Sequence, residues 1–453
     1  MKRKDILPAV VTGMGLLLLT GFGSGSVIDS SAQNQVEEAP QLPETGSRLV
    51  DFVPEGWEIV DSVELDFNED GAADYVGVLR AADIDMVDYV HNPEDYPCIL
   101  FAIAGDGKGK YHQDFQDTDL LWAEICNYDD TLRAEGTSFT TYTKYGSGVY
   151  KWKRSGSPSG CKYNTYTYRE GHWWHTSSET TCRYGDYVTD YRKDDWEKGV
   201  GVRKKRSSDG ADIEKNWDLI DDGDYDFDDY DVEYEVALDE PPLSLEQIRT
   251  HRELSPDNVT DWELKTVTFT ADVALTEDGI KLPNESLPLC PVYWDDNCVL
   301  YAFSSDSDMR GEVYYVTLYS RQDKALSILA GEESEIDDLK LYKGKIYYSS
   351  EIVENVTYRT TEEGKEKIAE EEETVGIRLN RMELDGTGKE TIFEYRYQEQ
   401  GIMENRPPYL GLDYEIGGEE IVVQVHIGDG HSEPFYRMKT DGSGQEKIGQ
   451  MPK

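Results

Sequence analysis

The chain has 453 residues, of which 92 are acidic and 45 basic, giving a formal net charge of −47 with 38% apolar residues. So acidic a composition disfavours a basic phosphate-binding face, and nucleic acid is not an expected partner. Length and apolar content allow two or three domains with real cores.

In chain order, Met1-Lys-Arg-Lys precedes an apolar run from Ile6 to Phe22 and then small polar residues, the order of a secretory signal. Seventeen residues also reach the short end of a membrane span, so residues 1–25 read as a signal peptide or an N-terminal anchor. The stretch Leu19-Thr-Gly-Phe22 resembles a bacterial lipoprotein box, but Phe22 stands where the lipid-bearing cysteine would be needed. The expected location is extracellular or the cell envelope, without conventional lipidation and with membrane contact only through that first segment. Residues 26–48 read as a polar linker. Within them Leu42-Pro-Glu-Thr-Gly46 spells the sortase pentapeptide, without the hydrophobic span and basic tail that sorting needs directly behind it.

Residues 49–240 show short strands between Gly/Asp/Asn turns: Trp57–Val60, Tyr75–Leu79 and Cys98–Ile103. A helical stretch is expected at Asp119–Asn127. Between the first two strands lies Asp66-Phe-Asn-Glu-Asp-Gly-Ala-Ala-Asp74. Calcium requires six to eight hard oxygens, and alternate residues of a tight loop supply them while a glycine permits the sharp turn. Asp66, Asn68 and Asp70 stand at positions one, three and five, Gly71 at six, the Ala72 carbonyl at seven and Asp74 at nine; position twelve, where an EF-hand has its bidentate Glu, is Gly77. The expected cofactor is therefore a structural Ca2+ held by Asp66, Asn68, Asp70, Ala72 and Asp74. The competing reading is a solvated acidic turn. The DxNxDGxxD form, followed by Phe101-Ala-Ile-Ala-Gly-Asp-Gly-Lys-Gly109, resembles the integrin-type FG-GAP calcium loop over about residues 61–111 and implies the same ligands.

Six cysteines in an exported chain suggest disulfides. The segment Cys161–Cys182 reads as a hairpin turning at Glu170-Gly171-His172-Trp173. Counting outward from Glu170 opposite Trp173 places Cys161 opposite Cys182 as a cross-strand bridge. Cys290 and Cys298 flank the Trp294–Asn297 turn and are expected to pair, leaving Cys98 with Cys126. The other outcome is that some thiols stay reduced.

Between Asp209 and Glu240 there are fifteen acidic residues and one lysine. Tyr230, Val232, Tyr234, Val236 and Leu238 alternate with polar positions, so this part reads as a strand with an acidic face rather than a linker. Asp222–Asp228, a second candidate cation site, is read the same way. Residues 241–261, opening with Pro241-Pro242, read as a linker, with a short helical turn at Ser244–Arg249 whose Ser244 and Gln247 have capping-box form.

In residues 262–453, Leu379-Asn-Arg-Met-Glu-Leu-Asp-Gly-Thr-Gly-Lys-Glu-Thr-Ile392 returns as Phe435-Tyr-Arg-Met-Lys-Thr-Asp-Gly-Ser-Gly-Gln-Glu-Lys-Ile448, an offset of 56. Each copy follows a β-rich run, Lys345–Ser349 or Ile421–Val425. Val299–Phe303, Val313–Leu318 and Ala325–Leu329 form a degenerate third unit. Multi-strand units of this length read as propeller blades, with Thr360–Thr374 as a loop inserted in one. The RMxxDGxG repeats with upstream Ile346-Tyr-Tyr-Ser349 resemble the bacterial low-density-lipoprotein-receptor-like propeller family, which implies a binding scaffold.

The expected fold is therefore all-β, with an N-terminal calcium-loop module and a C-terminal propeller-like module. GxSxG, HExxH and Walker signatures are missing. His172 and His175 straddle a hairpin turn, and His426 and His431 bracket another. Thirty-one Tyr and nine Trp raise a glycan platform at Trp173-Trp174 beside Tyr166 and Tyr168, although such residues more often fill cores. The expected function is a non-catalytic surface or secreted scaffold whose partner is an extracellular protein or a glycan. The alternatives are a carbohydrate-active enzyme or glycan-binding accessory protein, and a sensor-like envelope module.

Overall fold

The computed structural model describes residues 39–82, 98–118, 120–121, 132–146, 158–184, 187–206, 230–254, 266–269, 291–305, 313–332, 334, 336–362, 365–397, 403, 405–428 and 433–451. These residues are almost wholly β, with one α-helix among them. They divide into two compact units, and the division falls between Ile248 and Arg249.

The first unit opens with a five-stranded sheet, β1 Thr45–Gly46, β2 Trp57–Leu65, β3 Asp74–Ala81, β4 Ile99–Gly105 and β5 Tyr111–Asp117, in the order β1-β5-β4-β3-β2. β3 and β4 are apolar along both faces because both faces are covered. Val76, Val78, Leu100 and Ala102 meet Phe67, Phe139, Tyr166 and Trp173. Leu79, Ile99, Phe101 and Ile103 meet Leu42 and Phe52. The expected linker is thus corrected from residue 39 onward: Leu42 is buried, its amide donates to Gln116 Oε1 at 2.8 Å, and Thr45–Gly46 pairs with β5. Covering the second apolar face favours burial over a solvated linker.

The second sheet is a meander in which β6 Leu132–Glu135, β7 Ser138–Gly146, β8 Pro158–Arg169, β9 His172–Tyr184, β10 Tyr187–Asp195, β11 Val200–Lys205 and β12 Val232–Ala237 follow one another in space; β13 Leu243–Ser244 adds to β9. The expected strand around Tyr234 is β12, and its inward Val232, Tyr234 and Val236 are buried. The helix α1, Leu245–Glu253, runs longer than the expected turn. Its capping box is formed: the Ser244 amide donates to Gln247 Oε1 at 2.8 Å and the Gln247 amide to Ser244 Oγ at 3.2 Å.

Two expectations about this sheet are corrected. The β8–β9 turn is Glu170-Gly171, both at positive φ, with Arg169 opposite His172, which alone would move the partner of Cys161 by two residues, and a bulge at Thr165/Tyr166 takes back one of them. Cys161 therefore stands opposite Thr181, and Cys182 opposite Gly160. Directly opposed residues share a face and neighbours alternate, so the two cysteines lie on opposite faces and do not bridge; Cys161 Sγ lies 2.7 Å from Thr181 Oγ1. Cys298 is likewise a thiol rather than half of a bridge to Cys290. Cys126 and Cys290 lie outside the described residues, as do residues 1–38, Asp222–Asp228 and most of Asp119–Asn127.

Among the described residues the second unit holds three sheets. The third consists of β14 Thr266–Phe269, β15 Pro291–Trp294, β16 Cys298–Ser305, β17 Val313–Ser320 and β18 Ala325–Glu332, with β14 parallel to β18. The fourth is β19 Ile336–Tyr342, β20 Lys345–Glu362, β21 Lys365–Glu383 and β22 Glu390–Arg396; the fifth is β23 Leu410–Gly417, β24 Glu420–Ile427, β25 Glu433–Lys439 and β26 Glu446–Met451. Leu300, Val316 and Leu329 of the third sheet share a core with Ile346, Tyr348 and Met382 of the fourth. Tyr347, Leu379 and Phe393 of the fourth share another with Leu412, Val423 and Met438 of the fifth. None of the sheets closes into a barrel.

The internal repeat has a common structure. Asp385 Oδ1 accepts the Thr387 amide and hydroxyl, and Asp441 Oδ1 does the same for Ser443. The Thr360–Thr374 stretch is corrected from loop to strand. β20 and β21 stay paired out to Glu362 opposite Lys365, through Thr361 opposite Glu366 and Thr360 opposite Lys367. The β-branched Val353, Val356 and Thr357 on β20 favour a ladder over a loop.

Candidate functional site

The β2–β3 loop is the strongest sequence candidate, and it is built from its own carboxylates. Asp66 Oδ1 accepts the Asp70 amide at 3.1 Å and Oδ2 the Gly71 amide at 3.0 Å. Asn68 Oδ1 accepts the Asp70 amide at 3.0 Å, and Asp70 Oδ1 accepts the Ala72 amide at 2.8 Å. Gly71 has φ of 82°, the left-handed conformation that glycine adopts without strain. Asp66, Asn68 and Asp70 therefore converge on one stretch of backbone, as a hard-oxygen cradle requires, and a carboxylate that accepts one amide per oxygen keeps lone pairs for a second partner.

Asp74 differs from them. It is fully buried, with Oδ2 accepting the Phe67 amide at 3.0 Å and Oδ1 the Gly105 amide at 2.8 Å. Burial pushes its pKa up, opposed by the Gly105, Phe67 and Asn68 amides. It ties the loop to the β4–β5 turn, where Asp106 Oδ1 collects the Lys108 and Lys110 amides at 2.7 and 2.9 Å. Among the described residues, no group of three or more His, Cys, Asp or Glu is arranged to hold a metal ion.

The loop also fixes an aromatic cluster. Phe67, held between Asp66 and Asn68, packs its ring 4.7 Å from Tyr168 and 4.9 Å from Trp173, and Trp173 meets Phe139 edge-on at 4.9 Å. The expected Trp173-Trp174 platform is divided by strand alternation. Trp173 and Tyr166 are core residues, whereas Trp174 lies on the other face beneath the Arg169 guanidinium at 5.1 Å.

Sequence reading missed what gathers at the edge of this cluster. Trp173 Nε1 donates to Asp114 Oδ2 at 2.7 Å. His172 Nδ1 lies 3.5 Å from Glu246 Oε1, because β13 pairs with β9 at Trp174 and His175 and so starts α1 beside the hairpin. Desolvation raises the Asp114 carboxyl, the Trp173 hydrogen bond opposes this, and Glu246 adds to it. Desolvation acts upward on Glu246 too, but hydrogen bonds from its own amide, Ser244 and His172 hold it below the usual range. Three separate elements supply these residues, and no local motif marks them.

The histidine pairs separate as well. His175 is buried with Nε2 3.2 Å from Asn164 Oδ1, and desolvation reinforced by Lys162 pushes it down to about 3. His426 stands between two carboxylates, with Nε2 2.9 Å from Asp413 Oδ2 and Nδ1 3.3 Å from Glu433 Oε2. Burial works to lower it, but the two carboxylates prevail and raise it to about 9. His431 lies outside the described residues. No helix of the described residues is long and apolar enough to cross a membrane.

No protein-family model matches the chain, and no curated protein matches it.

Proposed function

We propose that this chain is an exported, non-catalytic binding scaffold of a bacterial surface or secretome, with a calcium-fastened first unit and a propeller-like second unit. The observation that carries the reading is the repeated Asp-Gly turn: Asp385 and Asp441 build the same turn on successive stacked sheets. A frame that repeats while its remaining loops differ is how propeller-type proteins present a recognition face. The partner is an extracellular protein or a glycan, and the structural ion of the first unit is Ca2+ at Asp66, Asn68, Asp70 and the Ala72 carbonyl, with Asp74 bracing the loop from behind. Calcium titration should raise the melting temperature of the first unit, and Asp70→Ala should abolish the rise. No response to calcium or chelator in the wild type sinks the ion. A glycan array and a pull-down of extracellular proteins test the partner.

A second reading, a carbohydrate-active protein, is favoured by one observation. Asp114 and Glu246 have pKa values displaced in opposite directions, the signature of an acid and a base sharing a site. Hydrolysis of aryl glycosides that is lost in both Asp114→Asn and Glu246→Gln would favour it; the absence of any hydrolysis leaves the scaffold.

A further inference from the structure

Tyr409 is 68% exposed, while Tyr301, Tyr315, Tyr347 and Tyr348 of the same unit are fully buried. A lone exposed ring says little by itself; the way this one is held says more. Buried Pro407, Pro408 and Leu410 fix the chain on either side of it, the prolines by restricting φ, and the Gly428 amide donates to its carbonyl at 2.8 Å. The ring lies against Gly411, where an added Cβ would stand 3.3 Å from its Cε1 and 3.4 Å from its Oη. On Gly428 an added Cβ would stand 3.2 Å from the Tyr409 Cβ. Two glycines thus seat this residue close to the backbone, and most of it stays open to solvent.

Beside this seat runs a polar row. Gly411 is opposite His426, and Asp413 opposite Gln424, across β23 and β24. The four share one face, the reverse of the one that carries Leu412, Val423 and Val425 into the core shared with the fourth sheet. His426 Nε2 lies 2.9 Å from Asp413 Oδ2, and its Nδ1 3.3 Å from Glu433 Oε2. Gln424 Nε2 donates to the same Glu433 oxygen at 2.8 Å. A neutral imidazole carries one N–H, so the imidazolium is the form that satisfies both contacts. Both carboxylates are therefore held by neighbours on their own sheet, as preorganised binding groups are.

The chemistry of this corner narrows what it can take. Two carboxylates in a chain of net charge −47 repel an anion. A cation over the ring would gain from its π face, but it would compete with the imidazolium already set between Asp413 and Glu433. A neutral ligand with an apolar face and several hydroxyls meets neither objection. An aromatic ring with a few placed polar groups is the usual make-up of such a site, and hydroxyls donating to ionised carboxylates form the stronger class of hydrogen bond. We propose that Tyr409, Asp413, His426 and Glu433 form a binding site for a neutral pyranose of a glycan. The C–H face of the sugar stacks on the Tyr409 ring, its hydroxyls donate to the Asp413 and Glu433 carboxylates, and His426 positions both. The proposal deepens the scaffold reading and rests on it for an extracellular glycan as partner.

Isothermal titration calorimetry of the full chain tests this, with cellohexaose, xylohexaose, mannohexaose and chitohexaose as neutral probes and hexalysine as the cationic one. At least one hexasaccharide should bind the wild type. Its affinity should fall about tenfold or more in Tyr409→Ala, persist in Tyr409→Phe, which keeps the ring, and fall in Asp413→Asn, which loses the charge. An unchanged urea midpoint in all three variants separates lost binding from misfolding. A hexasaccharide that binds Tyr409→Ala as well as wild type overturns the site and leaves the scaffold reading with a glycan partner elsewhere. Binding of none of the four overturns the site, and the scaffold reading then depends on an extracellular protein partner. Hexalysine bound through Tyr409 in place of the sugars replaces the neutral ligand with a cationic peptide and overturns the proposal.

Discussion

The carboxylate of Asp74 accepts the amide of Gly105 at 2.8 Å across 31 residues of chain. The same side chain takes the Phe67 amide at 3.0 Å, so one buried group joins the β2–β3 loop, the β4–β5 turn and the aromatic cluster. Asp74→Ala leaves these amides without an acceptor, each at about 1–3 kcal/mol, and should cost the first unit about 3–5 kcal/mol in urea denaturation with or without calcium. Asp70→Ala should lose mainly the calcium response. Equal baseline stability in the two variants would contradict this division of roles.

Gly77 and Phe101 are paired across β3 and β4, and a Cβ on Gly77 would sit 2.6 Å from Cε1 and Cζ of the Phe101 ring. The ring fills the space where a longer residue would stand. Gly77→Ala is expected to destabilise by about 1–3 kcal/mol through overpacking. Phe101→Leu in the same chain should recover part of that cost, and strictly additive losses would show that the ring is not the obstacle.

His175 and His426 give opposite pH limbs. His175 is pushed down to about 3 in the fold against about 6.5 unfolded. The unfolded chain therefore takes the proton first, and stability present above about 6.5 falls as pH drops toward 3. His426 is raised to about 9, so its contribution is complete below about 6.5 and is lost as pH rises through 9. Histidine-selective NMR titration reads both. His426→Gln should flatten the alkaline limb of the second unit, and an acid-side change there would contradict the assignment.

Cys161 and Cys182 occupy opposite faces of the β8–β9 hairpin. Non-reducing peptide mapping should yield no Cys161–Cys182 cross-linked peptide. Recovery of that peptide would mean that the turn lies at Gly171-His172, with Glu170 opposite Trp173 and no bulge between there and Cys161.

Alternation and composition made much of the β-structure legible. Tyr75–Leu79, Ile99–Ile103, Lys345–Ser349 and Ile421–Val425 lie on strands, and the Ser244–Gln247 cap formed. Register was less legible, because the displaced hairpin turn shifts the pairing by two residues and a bulge takes one of them back, and in a strand the single step that is left reverses every face. The Thr360–Thr374 run looked like a loop because acid density masked its pairing, which depends on a partner strand rather than on local composition.

The sequence by itself determined the all-β class, the repeat at an offset of 56 and the loop whose alternate oxygens face one backbone stretch, since each is a local or periodic property of the chain. Only the tertiary structure decided that Asp74 is a brace, that Trp173 belongs to the core while Trp174 lies on the other face, that Asp114 and Glu246 gather beside His172, and that Arg381 reaches the turn at Thr440. Those are relations between residues distant in sequence, and they are set by which faces the sheets bury against one another.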